Sequence, residues 1–95
     1  MLNEVILAGR IVELPPLAAG SNELFCQMRI AVRRSAMEPE EETVFPVRIW
    51  KGLASVANEK YQLGTAVAIR GRLDICEDAI VIIAERVSFI AAEGQ

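Results

Sequence analysis

Residues 24–34, LFCQMRIAVRR, alternate more cleanly than any other stretch, and that alternation is the tightest constraint on what this chain can become. Leu24, Cys26, Met28, Ile30 and Val32 fall on one side of an extended backbone; Phe25, Gln27, Arg29, Ala31 and Arg33 fall on the other. A period of two with one apolar side describes a strand half in a core and half in solvent. A second unit, residues 44–73, reads strand, helix, turn, strand. Phe45, Val47 and Ile49 share one side of its first strand, and Arg48 and Trp50 the other. From Gly52 onward, Leu53, Val56, Ala57 and Lys60 recur at i, i+3, i+4 and i+7, a short helical stripe finished by a lysine stem. Gly64 suits the left-handed stop after Tyr61-Gln62-Leu63. Val67, Ile69, Gly71 and Leu73 then alternate with Ala66, Ala68, Arg70 and Arg72.

The flanks supply two more strands. Over residues 3–13, Val5, Leu7 and Ile11 alternate around Gly9, and a glycine inside a strand marks a bulge or a tight bend such as a barrel corner. Pro15-Pro16 ends this strand, and Ala19-Gly20-Ser21-Asn22 is turn chemistry. Near the other end, Ile80, Ile82 and Ala84 are in phase while Val87 and Phe89 are not. One extra residue near Glu85-Arg86, a bulge, puts both sets on one side. The segment 35–42, with four of the thirteen acids between Glu38 and Glu42, reads as an exposed loop. The inventory is five strands with one short helix between the third and fourth. That order is the plan of the OB-fold, a five-stranded Greek-key barrel, so the expected class is all-β. An SH3-like barrel with an inserted helix and an open α+β sheet share the inventory but match it less well. With 95 residues, a single domain over 1–91 is expected, followed by a short end at 92–95.

Composition narrows the function. A net charge of −3 argues against a general nucleic-acid binder, yet eight of the ten basic residues lie between Arg29 and Arg72, so a basic face survives on an acidic chain. There is no histidine, and Cys26 and Cys76 stand far apart without a CxxC, so no metal site is expected. Both cysteines read as reduced thiols in a core. No apolar run reaches the roughly 18 residues of a membrane span. The start has no basic n-region, which makes the cytoplasm the expected location. No phosphate-cradling glycine loop and no carboxylate paired with a base are visible, so neither a catalytic residue nor a cofactor is expected. Hydrophobic residues make up 53% of this short chain, which predicts burial against further copies of itself.

With its segments in this order, the chain resembles bacterial single-stranded-DNA-binding proteins along nearly its whole length. MLNEVILAGRI is similar to that family's first strand, and LFCQMRIAVRR, with Ile30-Ala31-Val32, to its second. Val47-Arg48-Ile49-Trp50 matches the third strand and Leu53-Ala54-Ser55-Val56-Ala57 the helix. Gly64-Thr65, Val67, Ile69 and Gly71-Arg72-Leu73 match the fourth strand, and Glu85-Arg86-Val87-Ser88-Phe89-Ile90 the end of the fifth. The resemblance implies an OB-fold that binds single strands without sequence preference in replication, recombination or repair. It also implies a homo-oligomer, tetramer or dimer. The physics is a groove of basic side chains on phosphates, with aromatic rings under the bases. Trp50 stands where the family has an aromatic platform, and Arg48 and Lys51 flank it. Arg29, Arg33, Arg34, Arg70 and Arg72 are further candidate contacts; Phe25 and Phe45 are candidate stacking rings. Such grooves take RNA as well as DNA.

The chain also departs from the family. Ala36 and Val44 replace usual aromatics, although Phe45 sits beside Val44. The long basic hairpin between strands four and five has shrunk to Glu77-Asp78, and the family's acidic C-terminal tail, which recruits partners, is absent. These departures support a second reading, an OB-fold protein–protein interaction module. In that reading Trp50 packs at an interface between subunits, and the arginines pair with the 38–42 glutamates.

Overall fold

The computed structural model describes residues 1–15, 25–35 and 37–91. It contains β1 (Val5–Glu13), β2 (Phe25–Ser35), β3 (Glu38–Trp50), α1 (Lys51–Lys60), β4 (Ala66–Cys76) and β5 (Ala79–Ala91). The strands close into a barrel in the order β1-β2-β3-β5-β4, with β4 returning to β1. All pairs are antiparallel except β3 and β5, which run parallel from Val47↔Ile82 to Ile49↔Ala84. This is the expected OB-fold. Leu24, Ala36, the turn at Ala19–Asn22 and the end at 92–95 lie outside the described residues.

The alternation read from sequence points into this barrel. Ile11, Met28, Ile30, Val47, Ile49, Val67 and Ile69 are buried together at its centre. Each such side chain contributes about 1.5–3 kcal/mol by leaving water. Closure demands close backbone approach at two points. A Cβ on Gly9 would overlap the Ala31 carbonyl, and one on Gly71 would overlap the Ile83 carbonyl. Next to Gly71 the β4–β5 register jumps from Arg70↔Arg86 to Gly71↔Ala84. Glu85 is therefore the extra residue of a bulge, within the pair of positions the phase change marked. It brings Val87 back against the core beside Ile82 and Ala84.

Several local expectations change. The acidic stretch is not a loop: β3 begins at Glu38, and the ladder with β2 runs on through Arg33↔Glu42 to Ser35↔Glu38. Glutamates are poor strand formers, but opposite charges across a ladder compensate. The helix starts at Lys51, and its buried residues are Ala54 and Ala57, while Val56 is exposed. Leu53 and Tyr61 complete the packed side. Asn58 ties the helix to the segment just after β1, its side-chain amide donating to the Pro15 carbonyl. Gly64 has a positive φ of 90° but does not stop the helix, which ends at Lys60 with Tyr61 already extended. It turns the chain into β4, donating its N–H to the Ile11 carbonyl at 2.7 Å.

Beyond Gly71 the hairpin runs past the end of the barrel. Leu73, Ile75 and Ile80 keep the inward phase but have no core above them, so Ile75 and Ile80 are 70% and 69% exposed. Glu77 and Asp78 form the tip, both at positive φ, as a two-residue primed turn requires. Among the described residues no helix is long and apolar enough to cross a membrane.

The closure account predicts opposite outcomes at two glycines. Gly71→Ala should lower unfolding free energy by about 2–3 kcal/mol, because a backbone carbonyl must move aside. Gly52→Ala, with open space around its Cβ on the first turn of the helix, should be neutral or stabilise by up to about 1 kcal/mol. Paired urea denaturations measure both.

Candidate nucleic-acid interface

The outward side of β2 and β3 is built by cross-strand pairs. From one end these are Phe25↔Trp50, Gln27↔Arg48, Arg29↔Pro46, Ala31↔Val44 and Arg33↔Glu42. Alternation along each strand puts all ten side chains on one surface. At the first rung the rings of Phe25 and Trp50 stand 4.4 Å apart between centroids, tilted by 37°. Trp50 remains 47% exposed, so a substantial ring surface is open to solvent beside its partner. Its position is fixed from behind, because the chain turns directly from Trp50 into α1.

On the next rung Arg48 is half-buried and donates from Nη1 to Cys76 Sγ at 2.8 Å. No carboxylate lies within ion-pair distance of it among the described residues. Between this rung and the β4–β5 hairpin runs a cleft of about 260 Å³, lined by Gln27, Arg29, Arg48, Cys76, Glu77 and Ile80 among others. Cys76 is a free thiol at the wall of this cleft rather than a core residue; Cys26, also free, does pack against the core. Lys51, exposed, opens the helix immediately after Trp50.

Five of the remaining arginines pair with carboxylates. Arg29 pairs with Glu13 at 3.3 Å, and Arg34 with Glu41 at 3.4 Å. Arg10 grips Glu42 with both branches of its guanidinium, at 3.0 and 2.5 Å. Arg33 sits opposite Glu42 in the ladder. Arg70 and Arg72 are not part of this surface. They lie on β4, where Arg70 pairs with Glu4 at 2.9 Å beside Ile6 of β1. Arg72 pairs with Asp74 at 3.2 Å and approaches Glu85 at 3.9 Å. Phe45 is also removed from the surface, because it pairs with Ile30 on the inward side and packs on the core. No slip of register brings it out; Val44 keeps the outward place.

Trp50, Arg48, Arg29, Phe25 and Arg33 thus come together on one face, with Lys51 at its end, whereas Arg34, the next residue after Arg33, falls on the opposite side by alternation and pairs there with Glu41. Sequence reading missed Gln27 and Cys76 in the cleft and Arg10 at the acidic end. Gln27 was legible as the same-side neighbour of Phe25, but which β3 residue it faces depends on register. The Arg10–Glu42 contact spans three strands and leaves no local signal.

The sequence model of the single-strand binding protein family matches residues 2–79. The chain belongs to that family. Its members are non-catalytic proteins that bind single-stranded DNA, and no enzyme family is indicated. No curated protein matches the chain in sequence. Among solved structures, a small single-stranded-DNA-binding protein from Streptomyces coelicolor superposes with a TM-score of 0.73 at 20% identity, covering 95% of this chain and 94% of that one. The dimeric N-terminal domain of the PriB protein from Thermoanaerobacter tencongensis gives 0.67 at 22% identity, covering 93% and 96%. The mitochondrial single-stranded-DNA-binding protein Rim1 from S. cerevisiae gives 0.75 at 8% identity over the whole of both chains. At these identities the likeness is one of fold, and this family member carries it with its own surface.

That surface has a titration signature. The Arg10 hydrogen bond holds the Glu42 carboxyl below the usual glutamate range, helped by the nearby Arg10 and Arg33 charges. The Ile75 N–H, and after it Arg72, does the same for Asp74. A depressed carboxyl stabilises the fold above its unfolded-state pKa, and that contribution is lost as pH falls through the lower folded value. Carboxyl-detected NMR titration should find Glu42 titrating below the usual glutamate range, and Arg10→Gln should raise it.

Proposed function

We propose that this chain is a non-catalytic, sequence-nonspecific single-stranded-DNA-binding protein acting in replication, recombination or repair as a homo-oligomer. The observation that supports this reading best is the Phe25–Trp50 ring pair on the rung next to Gln27–Arg48. Bases stack on the exposed Trp50 ring, with Phe25 holding it in place, and the sequence does not matter because every base has a π-face. Arg48, with no carboxylate beside it, and Lys51 meet the phosphates. Arg29, Arg33 and Arg34 are secondary contacts that must first leave acidic neighbours. Exposed apolar residues such as Ile6, Leu73 and Ile75 supply surface for association between copies.

A specific observation favours a second reading, an OB-fold interaction module with weak nucleic-acid binding. Five of the eight arginines are already paired with carboxylates. An aromatic pair left open beside Arg48, which forms no ion pair among the described residues, favours the first reading over it.

Trp50 is the only tryptophan, so its fluorescence reports one site per chain. Titration with oligo-dT should quench it at about 20 mM salt and much less at about 300 mM, since phosphate contacts weaken as counterions compete. Trp50→Ala should weaken binding of a labelled oligonucleotide by about 5- to 150-fold, matching the roughly 1–3 kcal/mol of one stacked base. Arg48→Gln should make the log–log salt slope shallower by about 0.7. No quenching at either salt, with no shift of the oligonucleotide in a gel, would rule the reading out and favour a protein partner.

A further inference from the structure

The outward face of β2 and β3 is not uniform along its length. From Trp50 to Glu42 it runs eight residues, or about 27 Å at about 3.4 Å per residue. At the Trp50 end Arg48 donates to the Cys76 sulfur and forms no ion pair among the described residues. At the Glu42 end every arginine meets an acid. Arg10 is gripped by Glu42 through two hydrogen bonds, and Arg33 faces Glu42 across the ladder. Glu40, exposed two residues before Glu42 on the same strand, adds a further carboxylate to this end. The two ends therefore differ in field although arginines are as dense at the poorer one. Between them stands the rung Ala31↔Val44, which offers no charge at all.

We infer that the acidic first half of β3 sets the length of single strand this face can hold. It does so by setting Glu42 against Arg10 and Arg33, so that the strand is held only at the Trp50 end. The inference rests on the binding reading above and names the residues that limit it. A phosphate reaching the far end has to displace a carboxylate from a two-pronged guanidinium bond and then lie beside the displaced negative charge. Exposed pairs of this kind add little to stability, so a structural role does not account for a two-pronged pair at one end of the face. The arrangement makes charge neutral where a longer groove would be basic. The expected footprint is at the short end of the roughly 4–16 nucleotides that OB-folds cover.

The test compares the full chain with Glu42→Gln, using Trp50 quenching by oligo-dT of increasing length between about 4 and about 16 nucleotides. The natural chain should stop gaining affinity at the shorter lengths. The variant should keep gaining, and its log–log salt slope on long oligonucleotides should be steeper by about 0.7 for each arginine released, about 1.4 for Arg10 and Arg33 together. Glu59→Gln, on the exposed side of α1, changes net charge by the same amount and should leave both readouts as they are. Equal length dependence and equal slope in the natural chain and Glu42→Gln would overturn the inference, as would an equal effect from Glu59→Gln. Absence of quenching in all chains is a different result, which overturns the binding reading and the inference with it.

Discussion

The ladder between β2 and β3 fixes most of what matters in this molecule. Its register places Met28 opposite Val47 and Ile30 opposite Phe45 on the inward side, and the same register places Phe25 on Trp50 and Gln27 on Arg48 outside. Because side chains alternate, a slip of one residue would exchange the two faces and put the arginines into the core. The buried aliphatics forbid that slip. Hydrophobic burial on one side of two strands thus sets the geometry of a polar surface on the other, although the polar side chains contribute little to holding it.

That division of labour explains the ion pairs. The fold is stabilised by the central cluster of isoleucines, valines and Met28, with the Gly71–Glu85 bulge and Gly9 allowing the barrel to close around them. The exposed pairs on its surface are screened and add little. Their effect is on the field: among the described residues Arg48, beside the aromatic pair, forms no ion pair, while the opposite end is neutralised. An acidic chain can in this way keep a local site for a polyanion, which its net charge would not suggest.

Much of this was legible before any coordinates. The strands, the helix between the third and fourth, the inward residues of β1 and β2 and the bulge near Glu85 all follow from period-two alternation and its one phase change. Trp50 and Arg48 were legible as same-side neighbours two residues apart. What was hidden depends on residues distant in sequence. The glutamates of 38–42 looked like a loop because their own propensity disfavours a strand, and the arginines that pair with them sit on β1 and β2. Phe45 shares the side of Val47 and Ile49 by alternation, so its place among the stacking rings rested on the resemblance, and its pairing with Ile30 keeps it inward. Val56 fitted a helical stripe by spacing, but only the barrel floor decides which side of α1 is covered, and it covers the small Ala54 and Ala57. Cys76 read as core because free cysteines usually are; the hairpin carries it past the core to Arg48.

The central claim is that one end of the β2–β3 face carries the contact with single strands. Backbone and indole N–H chemical shifts, recorded by NMR during titration with a short oligo-dT, test it most directly. The account predicts shifts concentrated at Phe25, Gln27, Arg48, the Trp50 indole and the Cys76–Ala79 wall of the cleft, with Glu40–Glu42 and the Ile6–Arg70 side nearly unmoved. Shifts centred instead on Ile6, Arg70 and Arg86, or spread evenly over the barrel, would contradict it.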